Sequence, residues 1–168
     1  MKLSNVSNSK VENLETHNGI DQKDRAALAE HLGKALADNY LLYLKTQNLH
    51  WNVVGPMFYG VHKLTEAQYQ DMAEAIDDIA ERIRAIGFPA PGNFEAYKKV
   101  TSIKEAPSEF DATAMIAELA NDNETCSRSF RKAVSEAEKL DDVKTADLLT
   151  ERIGQHEENT WMLRALVS

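Results

Sequence analysis

Five side chains have the types and spacing of a metal site: His50, His62, Glu66, Asp77 and Glu81. Two imidazoles and three carboxylates form a mixed nitrogen and oxygen set suited to iron, manganese or zinc. Four of them lie in one helical stretch. At about 100° per residue, His62, Glu66, Asp77 and Glu81 fall at roughly 0°, 40°, 60° and 100°, on one flank. Along the axis, Glu66 and Asp77 are about 16 Å apart and His62 and Asp77 about 22 Å apart. A ligand atom sits only ~2.0–2.6 Å from its ion, so one straight helix cannot close both i,i+4 pairs on one metal. Two copies can. The four positions are symmetric about the gap between Asp71 and Met72. An antiparallel two-fold contact would bring His62 and Glu66 of one copy against Glu81 and Asp77 of the other, making two identical sites. His50 swings in from the end of the preceding helix. The same residues also fit a solvated acidic face with His62 on its surface, because acidic side chains are commonly exposed. Spacing by itself leaves both readings open.

The element that must carry the flank spans residues 47 to 87. It reads as the end of one helix, a break at Gly55-Pro56, and a long second helix ending at Gly87. Pro56 fits the first turn of that helix and Gly87 a left-handed C-terminal cap. Met72, Ile76, Ile79, Ile83 and Ile86 recur at steps of four and three, which makes one apolar seam facing a core.

The rest of the chain supplies partners for that seam. The first long helix is predicted from about Asp21, a candidate N-cap, to Asn52, with Leu28, Leu32, Leu36, Tyr43 and Leu49 on its buried side. Gly33 inside it suggests a close helix approach. After Gly87 comes a long linker with a short helix, NFEAYKKV, in its middle. A third helix should start at the cap Asp111 and run to about Leu140, with Ile116, Leu119, Asn123, Cys126 and Phe130 turned inward. A turn at residues 140–142 leads to a fourth, with Leu149, Ile153, Leu163 and Val167 on one stripe. His156 shares that stripe and reads as a hydrogen-bonded core or interface histidine. Trp161 lies off it. The fold class is all-α, with residues 21–168 as one four-helix bundle domain and residues 1–20, rich in Asn and Ser, as a mobile tail.

The wording of the central stretch is more specific than its period. H-W-N-V-V-G-P-x-F-x-x-V-H, at residues 50 to 62, and D-D-I-A-E-R-I-R-A-I-G, at 77 to 87, closely resemble the Dps family of small ferritin-like proteins. The resemblance runs from about residue 21 to 167. It implies a ferritin-like bundle whose linker carries an extra short helix, assembled as a hollow homododecamer. It also implies a ferroxidase centre between two subunits, with His50, His62, Asp77 and Glu81 as ligands and at most two irons per site. The position four residues after the second histidine is usually aspartate in that family, whereas this chain has Glu66. LDDVKTADLLT resembles the family's acidic pore segment, which would make Asp141, Asp142 and Asp147 candidates for admitting Fe(II). Acidic capping of the fourth helix accounts for Asp141 or Asp142 equally well. In the family, Trp51 would lie near the iron, where it could intercept oxidising equivalents. Hydrogen peroxide is the oxidant the resemblance implies, and the products would be ferric mineral and protection of DNA.

Composition bears on the partners. With 19 Lys and Arg against 27 Asp and Glu, the net charge of −8 disfavours nucleic acid or anionic membrane and suits a protein that concentrates cations. Some Dps proteins bind DNA through a lysine-rich N-terminal tail; here Lys2 and Lys10 are offset by Glu12 and Glu15, a weak hook at cellular salt. A nucleoid DNA-binding protein with secondary iron chemistry is therefore the alternative reading. The lone Cys126 excludes an internal disulfide and suits a reducing compartment. The start of the chain has no apolar signal-peptide core, and no apolar run approaches the ~20 residues of a membrane span. The expected location is the cytoplasm, with nucleoid association if DNA is bound.

Overall fold

The computed structural model describes residues 12–106 and 111–168. Its elements are α1 (Gln22–Asn52), α2 (Phe58–Ala85), α3 (Phe94–Val100), α4 (Ala112–Lys139) and α5 (Val143–Ala165). The helices α1 and α2 pack as one antiparallel pair, α4 and α5 as a second, and the crossover between the pairs carries α3 against α1. This is the expected ferritin-like bundle.

Helix ends follow local chemistry. Gly87, at φ +102°, ends α2 in a Schellman turn, in which Phe88 N–H reaches the Ile83 carbonyl and Gly87 N–H that of Arg84. Asp141 plays the same part after α4 with φ +55°, a conformation that a short Asp side chain tolerates. Asn93, Asp111 and Asp142 cap α3, α4 and α5 with their side chains. Two expectations differ. The α2 helix begins at Phe58, with Pro56 in the turn ahead of it. Asp21 makes no side-chain cap; only its backbone carbonyl is used, by Asp24 and Arg25 N–H.

The apolar seams meet as their period demands. Leu28, Leu32, Leu36, Leu49, Met72, Ile79, Ile83, Ile86, Ile116, Leu119, Phe130, Leu149 and Leu163 are all essentially buried. Truncating one of these leucines to alanine costs about 2–5 kcal/mol. Cys126 is buried in the same core, and burial pushes its thiol well up from the ordinary range. Gly33 faces Pro91 of the crossover instead of another helix, and a Cβ there would sit at an ordinary 3.8 Å.

Three buried charges on α1 fasten other segments to it. Asp38 accepts from Lys34 Nζ, Thr101 Oγ1 and Ser102 N–H, which pins the end of the crossover. Lys45 donates to the Lys104 carbonyl and pairs with Glu118 and Asp122 of α4. Arg25 donates to the carbonyls of Thr16, Ile20 and Ile86. Leu14 N–H also bonds to the Gly87 carbonyl. The chain from Leu14 to Ile20, assigned from sequence to the tail, is thus fastened at the end of α2. Lys2 and Lys10 lie outside the described residues.

Candidate metal centre

Antiparallel pairing of α1 and α2 brings the last turn of α1 against the start of α2. His50 and His62 therefore meet although twelve residues separate them. Their rings stack with centroids 3.8 Å apart and planes 16° apart. His50 is 6% exposed and His62 half-buried. Each Nδ1 lies at hydrogen-bond distance from the other residue's backbone carbonyl, 2.9 Å for His50 and 3.0 Å for His62. A carbonyl only accepts, so each Nδ1 carries the proton and each Nε2 keeps its lone pair when the ring is neutral. Nε2 is then the coordinating nitrogen of both rings. Phe58 stacks on the outer face of His62 at 5.1 Å, and Tyr69 sets its edge to His50 at 5.1 Å.

Glu66 follows one turn after His62 and is partly exposed. Its carboxylate accepts from Lys63 Nζ at 2.8 Å. The Lys63 hydrogen bond and charge, with smaller help from His50 and His62, hold Glu66 below the ordinary carboxylate range. Asp77 and Glu81 are exposed further along α2, and among the described residues neither forms an ion pair. The middle of the same flank carries exposed Gln70 and Ala73. No three His, Cys, Asp or Glu side chains come together among the described residues of one chain. The rise along α2 accounts for this, because it separates the His62–Glu66 and Asp77–Glu81 pairs.

Trp51, next to His50 in sequence, would lie near the iron by the family resemblance and is equally readable as a packing aromatic. Consecutive helical residues differ by about 100°, and Trp51 points outward. It is 62% exposed and lines a pocket of about 400 Å³ with Leu41, Leu44 and Phe94. Sequence reasoning missed Tyr69 and Lys63. Tyr69 lies seven residues, two helical turns, beyond His62, and Lys63 three before Glu66; both spacings were signals.

Relatives decide the family. Residues 29–168 match the model of the ferritin-like domain. The chain is 37% identical over 139 residues to DNA protection during starvation protein 2 of Bacillus anthracis, covering 83% of this chain and 95% of that one. The chain belongs to the Dps family. It is also 38% identical over 151 residues to an uncharacterised low temperature-induced protein of Nostoc, covering 89% and 84% of the two chains. Among solved structures, a Dps protein of Bacillus brevis matches with TM-score 0.84 at 32% identity, over 89% of this chain and all of that one. A Dps protein of Vibrio cholerae, described as belonging to a superfamily of ferritin-like diiron-carboxylate proteins, matches with TM-score 0.85 at 29% identity, over 96% and 100%.

The acidic segment that in Dps proteins suggested a pore is divided by its contacts in this chain. Asp142 is buried; both its oxygens face the Arg82 guanidinium at 2.7 and 2.8 Å, and it accepts from Thr145 N–H and Oγ1. Burial alone would raise its carboxyl, but the Arg82 and Thr145 hydrogen bonds win and lower it. Its charge is spent on Arg82 and on capping α5. Asp141 and Asp147 are exposed, and Asp147 has only a loose approach to Lys144 at 3.9 Å. His156 is fully buried, donating from Nδ1 to Asn123 Oδ1 at 2.8 Å, with its edge toward Phe130. Burial, helped by the nearby Arg152 charge, pushes it down to about 3. It is the core histidine its stripe suggested. No helix among the described residues is long and apolar enough to cross a membrane.

Proposed function

We propose that this protein oxidises and stores iron: it takes up Fe(II), oxidises it with hydrogen peroxide at a centre shared by two-fold related subunits, and deposits ferric mineral inside a homododecameric shell. Membership of the Dps family supports iron storage and DNA protection in general terms. The observation that carries the finer reading is the His50–His62 pair, with both Nδ1 atoms committed to carbonyls and both Nε2 lone pairs free for a metal. Glu66 follows one turn on along α2, and Asp77 and Glu81 lie further along the same flank, the last two without ion-pair partners among the described residues.

Iron is the substrate here, and at most two ions per site would be held. An antiparallel contact between two α2 helices gives each site His50, His62 and Glu66 from one subunit and Asp77 and Glu81 from the other. The imidazoles bind as neutral donors and the carboxylates balance the ion's charge. Two Fe(II) side by side would deliver two electrons to one peroxide, which takes up two solvent protons and becomes two waters without releasing hydroxyl radical, leaving two Fe(III). No protein nucleophile is required. Asp141 and Asp147 remain the candidates for drawing Fe(II) toward the shell, because their charge is not consumed internally.

The test is anaerobic Fe(II) oxidation on adding peroxide, comparing the wild type with Asp77→Ala and with a dioxygen control. Fast oxidation that is lost in Asp77→Ala while the oligomer stays intact supports the shared centre. A variant as fast as the wild type, or no acceleration over free iron, overturns it.

A further inference from the structure

Four of the chain's five tyrosines stand in one unbroken file that starts at the candidate iron ligands. The Tyr69 ring meets His50 edge-on at 5.1 Å. Tyr43 meets Tyr69 at 6.2 Å, Tyr40 meets Tyr43 at 6.0 Å, and Tyr97 of α3 meets Tyr40 at 4.9 Å. All these separations lie in the range of contacting aromatic pairs. Tyr69, Tyr43 and Tyr40 are half-buried and Tyr97 is buried, so the file runs through the protein from α2 across α1 to the crossover. Packing alone would be served as well by Phe or Leu. Phenols are used instead, and none of the four is held in an ion pair. Tyr43 Oη accepts from Gln47 Nε2 at 2.8 Å, which leaves its own proton free; Tyr97 Oη donates to the Pro91 carbonyl at 2.9 Å. The fifth tyrosine, Tyr59, is 73% exposed and outside the file.

We propose that Tyr69, Tyr43, Tyr40 and Tyr97 form a one-electron relay that supplies the second reducing equivalent to peroxide when only one Fe(II) occupies the centre, and moves the resulting oxidising equivalent away from the ligands. This rests on the iron-oxidation reading above. Single occupancy is the relevant state because Glu66, which would serve one of the two ions, is tied to Lys63. The step balances as follows: one Fe(II), one hydrogen peroxide, the Tyr69 phenol and one solvent proton give one Fe(III), the Tyr69 phenoxyl radical and two waters. Iron loses one electron and the phenol loses one electron and its proton; the peroxide O–O bond breaks after taking both electrons. Each later hop moves one electron between neighbouring rings. The reduced phenoxyl takes up one proton and the newly oxidised phenol releases one, so each hop is balanced and the radical passes to Tyr43, Tyr40 and Tyr97. The exposed Trp51, which faces outward, is not in the file.

The experiment uses the assembled protein loaded anaerobically with one Fe(II) per site and mixed with one equivalent of peroxide. Fe(III) is followed by absorbance, and freeze-quenched samples by electron paramagnetic resonance with and without ring-deuterated tyrosine. Tyr69→Phe and Tyr40→Phe keep the rings and remove only the phenols. The expected result is a radical whose splitting narrows on tyrosine deuteration in the wild type. It should be lost in Tyr69→Phe, where hydroxyl-radical adducts with a spin trap appear instead. In Tyr40→Phe it should be retained, but without oxidative modification of Tyr97. Normal Fe(III) formation with no tyrosyl radical, or with one undiminished in Tyr69→Phe, overturns the relay and leaves the iron centre standing. Absence of accelerated iron oxidation in the wild type overturns both.

Discussion

His50 Nδ1 lies 2.9 Å from the backbone carbonyl oxygen of His62, and His62 Nδ1 lies 3.0 Å from that of His50. Each backbone carbonyl thereby sets the other residue's ring tautomer, and the His62 ring closes a carbonyl, that of His50, which the end of α1 would otherwise leave open. Loss of either imidazole should cost a ligand and remove the ring stacked on its neighbour, while the backbone carbonyl that orients that neighbour stays. We expect His50→Ala and His62→Ala each to weaken anaerobic Fe(II) binding by at least roughly 10–100-fold, since losing a ligand costs no less than disturbing a ligand's support. The double variant should be little worse than either single one, and calorimetric titration of all three proteins checks this coupling.

Lys63 competes with the metal for Glu66. Lys63→Ala should therefore tighten binding of a redox-inert divalent ion such as Zn(II) at pH 7. Acid works against this gain: without Lys63 the Glu66 carboxyl returns upward toward its ordinary range, so it protonates earlier as the pH falls. The gain should shrink or vanish near pH 5 and in high salt, because the Lys63–Glu66 pair is exposed. Equal affinity in both proteins at pH 7 would count against a ligand role for Glu66.

His156 makes stability depend on pH. Its pKa falls from 6.5 to about 3 on folding, so the unfolded chain binds the extra proton between those values. Its contribution is complete above about 6.5 and is lost progressively as the pH drops toward 3, an effect on the order of 5 kcal/mol in total. His156→Gln should flatten the slope of thermal stability between pH 7 and 5 relative to the wild type. Unchanged slopes would show that the buried imidazole finds another way to hold its proton.

Asp142 and its exposed neighbours should separate cleanly. Arg82→Ala leaves a buried carboxylate with only Thr145 for company and should destabilise the bundle by on the order of 3 kcal/mol, read by denaturant unfolding. Asp147→Asn should leave stability within about 0.5 kcal/mol but slow iron uptake at low ionic strength. If Asp147→Asn takes up iron at the wild-type rate, Asp147 plays no part in drawing iron in, and Asp141 is left as the candidate.

Much of the architecture was legible because it is periodic. The seam from Met72 to Ile86, the left-handed Gly87, the Asp111 cap and the short helix at Asn93–Val100 are local signals, and local geometry satisfies them. The candidate ligands were legible for the same reason, as a flank of one helix. What could not be read depends on the register between helices. Nothing in the sequence says that Tyr43 of α1 lies level with Tyr69 of α2, or that Arg82 finds Asp142 sixty residues on. Adjacency alone did not place Trp51, because a neighbour along the chain is a quarter-turn or more away around a helix. Composition misled at residues 14–20, whose polar side chains looked unstructured although their carbonyls serve Arg25.

The three buried charges of α1 bear on how the chain reaches this state. Asp38, Lys45 and Arg25 are satisfied by groups from the crossover, from α4 and from the segment ahead of α1. A hairpin of α1 and α2 alone would hold its leucine and isoleucine seams together yet strand Asp38 and Lys45 without most of their partners. An unpaired charge in such a place opposes burial by several kcal/mol. Partial structures are thereby penalised until the second hairpin arrives, and the bundle gains the cooperativity of an all-or-none transition.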